Sequence, residues 1–211
     1  SNELCALLGC GLSTALGVIK DEANVRFGES VMIVGAGGMG LNVVKAATLA
    51  SAYPIISIDI NDHKRELAKQ LGAHLFINSS THSIADELLK NFDLKEVDVI
   101  IETPGNKHAL RETIPFLGGT GRFIMVGQPK PGETVELLNA NHMFGGEGKM
   151  IKATQGGKFS PSQDIPRYVR LHKAGVLDID HIITHRIKLD EINEAIELVR
   201  KGQASRILIE M

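Results

Sequence analysis

Three glycines and an aspartate carry the types and spacing that can do chemistry here. Gly35, Gly37 and Gly40 fall in the stretch SVMIVGAGGMG, residues 30–40, directly after four apolar residues. Apolar positions at helical spacing follow. Strand, tight turn and helix start is the context in which G-x-G-x-x-G reads as a dinucleotide-binding turn. Gly35 lets the chain leave the strand sharply. Gly37 clears the backbone for a pyrophosphate, and Gly40 lets the helix pack closely on the strand. Gly38 and Met39 complete the turn, and the helix start presents unpaired N–H groups and a positive dipole end to phosphate.

The pattern alone is weak, because glycine-rich turns are common. A second apolar run supports it: Ile55-Ile56-Ser57-Ile58 ends in Asp59, followed by Ile60. At the end of the second strand of a βαβ unit, a carboxylate can accept hydrogen bonds from both adenosine-ribose hydroxyls. It also repels a 2′-phosphate, which favours NAD over NADP. The plain alternative for Asp59 is an N-cap or loop acid. In 61–64, Asn-Asp-His-Lys, the one cation is Lys64. Lys64 can reach a ribose hydroxyl or lie solvated on a helix face. A Rossmann-like methyltransferase also uses a glycine-rich turn and an acid after the second strand, but the G-x-G-x-x-G spacing argues against it.

These residues need a scaffold, and the chain can build one. It has 211 residues, 43% hydrophobic and 23% charged, an ordinary globular balance. A net charge of −2 makes no electrostatic case for nucleic acid. No apolar run is long enough to span a membrane, and none reads as a signal peptide. The two cysteines, Cys5 and Cys10, form no disulfide framework and point to a reducing, cytoplasmic setting.

Apolar periodicity predicts an α/β fold: a doubly wound parallel Rossmann sheet with helices on both faces, and a further α/β segment at the C-terminus. Residues 3–25 read as helical, interrupted at Gly9 and Gly11, with Ser13 or Thr14 capping a second helix. Strands are expected at 31–34, 55–59, 73–78, 97–102 and 121–127, with helices between them. Residues 83–91 should form an amphipathic helix with Ile84, Leu88 and Leu89 inward. A sixth strand region is expected at 135–138 and 149–154, the latter at a sheet edge, with 142–147 as a loop between them. Beyond lie a helix over 163–174, a strand at 181–187, a helix over 190–201 capped by Asp190, and a last strand at 205–211. Residues 1–25 are read as a connector, 26–155 as the cofactor domain and 156–211 as a separate C-terminal segment.

Several stretches together resemble one family, the zinc-dependent medium-chain alcohol dehydrogenases, including the glutathione-dependent formaldehyde dehydrogenase branch. The likeness rests on Leu7-Leu8-Gly9-Cys10-Gly11-Leu12-Ser13-Thr14, the GAGGMG turn, Ser57-Ile58-Asp59-Ile60-Asn61, Gly127, Gly156-Gly157, Ile182-Ile183-Thr184-His185 and Ser205-Arg206-Ile207-Leu208. It covers nearly the whole chain but not the whole family protein. It implies that a GroES-like catalytic domain, with most zinc ligands and the proton relay, lies outside this chain. The full enzyme would transfer hydride between NAD and a small alcohol or aldehyde. This chain alone would bind NAD(H) with little or no turnover.

The resemblance implies roles residue by residue. Cys10 matches a catalytic zinc ligand, although within this chain it would be a buried helix cysteine, and Cys5 a packing residue. Thr14 matches a threonine beside the nicotinamide. Asp59 and Lys64 match ribose contacts, and Thr103 and Pro104 match positions against adenine and ribose. Val126, Ala153 and Gln155 match backbone contacts to the carboxamide, and Arg206 matches a pyrophosphate ligand. Pro104 and Gln155 depart from the family's usual residues. Zinc is expected only with the catalytic domain, and a homodimer through the edge strand at 149–154. A stand-alone NAD(H)-binding or redox-sensing module is the alternative reading.

Overall fold

The computed structural model describes residues 2–137, 140–145, 148–179 and 181–211. The chain opens with α1 (Asn2–Leu8) and α2 (Gly11–Gly17), which continues into a π-helical turn at Val18–Glu22. Strand and helix then alternate: β1 (Val31–Val34), α3 (Gly38–Leu49), β2 (Ile55–Asp59), α4 (Arg65–Gln70) and β3 (Leu75–Asn78). Next come α5 (Ile84–Phe92), β4 (Val97–Glu102), α6 (Lys107–Thr113) and β5 (Leu117–Met125). Then follow α7 (Ala140–Phe144), β6 (Met150–Ala153), α8 (Pro161–Lys173), β7 (His185–Lys188), α9 (Ile192–Arg200) and β8 (Ile207–Glu210).

Six strands form one parallel sheet in the order β3-β2-β1-β4-β5-β6. Chain order reverses between β1 and β4, so a crevice opens above their carboxyl ends, where this class of sheet binds ligands. The central strands β1 and β2 are near-continuous apolar runs because both faces are covered there. Alternation along β1 divides the core. Val31 and Ile33 point with Ile55, Val99 and Ile101 toward α1, α2, α3 and α8. Met32 and Val34 point with Ile56, Ile58, Ile100 and Phe123 toward α5 and α6. β7 and β8 form a separate parallel pair, His185 opposite Ile207.

Several expectations are corrected. α2 begins at Gly11, so Ser13 and Thr14 lie inside it and neither caps it; the Ser13 hydroxyl donates to the Leu8 carbonyl at 2.7 Å and closes the end of α1 instead. Leu89 is 49% exposed, since only residues three or four apart share a helix face and Ile84 with Leu88 define the buried one. Residues 135–137 form no strand, and Leu138 lies outside the described residues. The loop expected at 142–147 is helical through Phe144, while Gly146 and Glu147 lie outside the described residues. β5 starts earlier and stops short of Val126 and Gly127, with an irregular register against β4 between Val97 and Val99. The strand expected from His181 begins at His185. Asp190 does not cap α9, which starts without a side-chain cap; it lies in a 3₁₀ turn at Leu189–Glu191 ahead of the helix, where the Glu191 carboxylate accepts the Lys188 N–H at 2.8 Å.

Candidate functional site

The site begins where β1 ends. Gly35 has φ +85°, a conformation that favours glycine, and its N–H donates to the Ile58 carbonyl at 2.7 Å, which ties the turn to β2. α3 then starts on Gly37 with no side-chain cap and no acid in its first turn. The two later glycines serve different ends. A Cβ on Gly40 would overlap the Gly35 carbonyl, so this glycine allows the helix to sit on the turn. A Cβ on Gly37 would meet nothing within 4 Å. Open space therefore lies over the uncapped start of a twelve-residue helix, a setting suited to a phosphate. Met39 is half-buried behind the turn.

Asp59 closes one side. Its Oδ2 accepts the Ala36 N–H at 2.7 Å and its Oδ1 accepts the Asn61 N–H at 2.9 Å. The carboxylate thus grips the glycine turn itself, and each oxygen keeps accepting capacity for a further donor. Ile60 is 66% exposed beside it. Lys64 departs from a solvated helix-face lysine: it is 6% exposed. Burial lowers its pKa, and the Asp59 carboxylate pulls it back up.

The end of β4 forms the opposite side. The Thr103 hydroxyl is shared between the carbonyls of Val34, at 2.9 Å, and Gly35, at 3.2 Å. Pro104 is exposed, with its ring against Gly35: a Cβ there would come 2.8 Å from the proline Cγ. Val126 and Gly127 both donate N–H to the Glu102 carbonyl, at 2.8 and 3.1 Å, which brings the end of β5 against the end of β4. Ala153 is the register partner of Met125 at the end of β6, and Gln155 follows it, exposed. Thr14 is buried in α2, and Gly157 packs onto its carbonyl.

Arg206 arrives from the distant C-terminal part of the chain. Its guanidinium lies over two glycines: a Cβ on Gly11 would overlap it, and one on Gly38 would come 3.3 Å from Nε. Its Nε is buried and has no hydrogen-bond partner among the described residues. An orphaned guanidinium N–H beside a helix start is a strong reason to place an anion there, since leaving such a donor unmade costs about 1–3 kcal/mol or more. The turn, Asp59, Thr103, Pro104 and Arg206 are therefore joined by direct contacts around one crevice.

Glu102 belongs to this crevice and was not singled out from the sequence. It is fully buried, and its Oε1 accepts the N–H groups of Gly105, at 2.7 Å, and Asn106, at 3.2 Å. Burial raises its pKa, and the Asn106 and Gly105 N–H groups pull it down. The signal was available: like Asp59, it is an acid closing an apolar strand.

Cys10 is exposed rather than buried in a helix, because it stands in the break between α1 and α2; Cys5, on α1, is exposed too. Cys10 lines a cleft with Gly11, Ile183 and Arg206. Among the described residues, no three His, Cys, Asp or Glu side chains converge as a metal site. Among them, too, no single helix is long and apolar enough to cross a membrane.

A doubly wound parallel sheet, a glycine turn at its switch point and an acid ending the second strand define a nucleotide-binding α/β protein of the Rossmann class. The family model for zinc-binding dehydrogenases matches residues 38–174, and the chain belongs to that family as its NAD-binding part. It is 32% identical to alcohol dehydrogenase 2 of Zea mays over 212 aligned positions, covering 100% of this chain and 55% of that protein. It is also 32% identical to the S-(hydroxymethyl)glutathione dehydrogenase of Haemophilus influenzae, covering 99% of this chain and 55% of that one. The benzyl alcohol dehydrogenase of Acinetobacter calcoaceticus superposes with a TM-score of 0.90 at 33% identity, over 99% of this chain and 57% of the other. The chain spans about half the length of the curated relatives it matches.

Proposed function

We propose that this chain is the cofactor half of an oxidoreductase that transfers hydride between NAD and a small alcohol or aldehyde. The observation that carries the reading is the orphaned Nε of Arg206 beside the uncapped start of α3. In this reading the pyrophosphate lies between Arg206 and the glycine turn. Asp59 and Lys64 hold the adenosine ribose, with Ile60, Thr103 and Pro104 lining that end. Backbone groups of Val126, Ala153 and Gln155 orient the carboxamide, and Thr14 packs beside the ring. Bound NAD supplies the hydride acceptor; the chain's own residues bind it, fix its orientation and repel a 2′-phosphate.

Cys10 would contribute one zinc ligand, to be completed by residues outside this chain, so binding without appreciable turnover is expected here. The division into a connector at 1–25, a cofactor domain at 26–155 and a returning segment at 156–211 belongs to the same proposal. So does a cytoplasmic homodimer that pairs through β6, where Met150 is 43% and Ile151 38% exposed. Calorimetric titration with NADH and NADPH, with zinc measured on the same sample, tests the reading. Selective NADH binding without zinc is expected. Binding of neither cofactor would refute it.

A further inference from the structure

The ends of β2 and β3 meet at Asp59 and Asn78, which are register partners, and the Ser79 N–H donates to the Asp59 carbonyl at 3.1 Å. A second acid stands at this junction. Asp62 Oδ1 accepts from Arg65 Nη2 at 2.6 Å, and Oδ2 accepts from Asn78 Nδ2 at 2.8 Å. Arg65 Nη1 donates to the Phe76 carbonyl at 2.9 Å, and its guanidinium carbon lies 4.9 Å from the Phe76 ring centroid. Asn78 is itself fixed, since its Oδ1 accepts both the N–H and the hydroxyl of Ser80, at 3.0 and 2.6 Å. The arginine nearest Asp59 in sequence is therefore folded back along β3 and held at two points. Lys64, the other strong base of this segment, is buried beside Asp59.

A ribose held by Asp59 would lie at these strand ends. A 2′-phosphate there would add about −1.5 to −2 charge. Its best partner is a guanidinium, which offers forked donors to phosphate oxygens. Such a group is present in the chain at the right place in sequence, yet two of its five N–H donors are held by Asp62 and the Phe76 carbonyl, which fix the guanidinium against β3.

We propose that Asp62 is a second determinant of cofactor choice: by holding Arg65 against β3 it withholds a guanidinium from the ribose 2′-phosphate, and so excludes NADP(H). The inference rests on the NAD(H) reading of the site and adds to it. Asp59 acts by repulsion, whereas Asp62 acts by occupying the cation that would offset that repulsion.

The test is a titration of this chain with NADH and NADPH in the parent, Asp62→Asn and Asp62→Asn/Arg65→Ala. The single variant should gain about tenfold in NADPH affinity, the worth of one charged hydrogen bond, with NADH affinity unchanged. The double variant should lose that gain. Intact NADH binding with no NADPH gain in the single variant overturns the proposal. So does a gain that survives removal of Arg65, which would show Asp62 acting through its own charge. A parent that binds neither cofactor fails earlier and takes the NAD(H) reading down with it. Asp62→Ser supplies the same comparison if circular dichroism shows the asparagine variant to be unfolded.

Discussion

At the scale of single residues, Asp59 has a structural job beside the ribose contact proposed for it. A terminal strand acid suggests a ribose acceptor, but the carboxylate also holds the Ala36 and Asn61 N–H groups. Replacing it therefore loosens the turn as well as removing the proposed ribose contacts. Asp59→Ala should weaken NADH binding by about 1.5–3 kcal/mol for each charged hydrogen bond lost, less where water screens it. NADPH binding should fall less or improve, because the nearest repelling charge has gone. Parallel titrations with the two cofactors check this; equal losses would remove Asp59 from the ribose. Cys10 shows the opposite limit. A cysteine in an apolar helical stretch reads as packing, yet it sits in a helix break, where its side chain meets solvent.

At the scale of elements, the glycine turn separates folding from binding within four residues. Gly40 is required by packing, because a Cβ would overlap the Gly35 carbonyl. Gly37 is not: its φ of −76° suits any residue, and its Cβ would enter open space. Gly40→Ala should destabilise the protein by about 1–3 kcal/mol, as overpacked sites do, even against alanine's better helix propensity. Gly37→Ala should leave stability within about 1 kcal/mol, an N-cap effect, while NADH binding drops sharply. Urea denaturation beside NADH titration separates the two. Matching losses of stability would mean that the space over Gly37 is not reserved for a ligand.

At the scale of the whole molecule, charged groups fasten the N-terminal helices to the distant segment after β6. Asp164, almost fully buried, accepts the Ser160 N–H at 2.8 Å, Lys20 Nζ at 3.0 Å and Arg167 Nη1 at 3.0 Å. The Ser160 N–H, followed by the Lys20 and Arg167 cations, holds its carboxyl below the usual range against the opposing effect of burial. Glu22 adds Lys152 and the Thr154 hydroxyl on the same seam. A carboxyl with a depressed folded-state pKa stabilises the fold above its unfolded value, near pH 4, and loses that contribution as pH falls through the folded value. Asp164→Asn should cost about 1–3 kcal/mol at neutral pH, toward the low end because Lys20 and Arg167 are half exposed. The gap to wild type should close on acidification. Denaturation curves across the acid range read both, and a gap that stays constant would show that Asp164 does not titrate with unfolding.

The βαβ order, the glycine turn and the strand-end acid were legible in the amino-acid sequence because each is a local pattern. Apolar runs make buried strands, and glycine and aspartate at an element's end are written in consecutive residues. Boundaries were less legible. Leu89 turned on which helix face met the sheet, the start of α2 on where the chain breaks after α1, and α7 lies where composition alone suggests a loop. The remainder needed tertiary structure. Arg206 is far from Gly38 in sequence, and only the returning chain sets its guanidinium over the helix start. Lys64 became buried, Glu102 came to link two strand ends, and Arg65 came to be held by Asp62 and the Phe76 carbonyl. Local patterns select elements, whereas desolvation and charge pairing depend on which atoms meet across the fold, and that is settled only when the chain has packed.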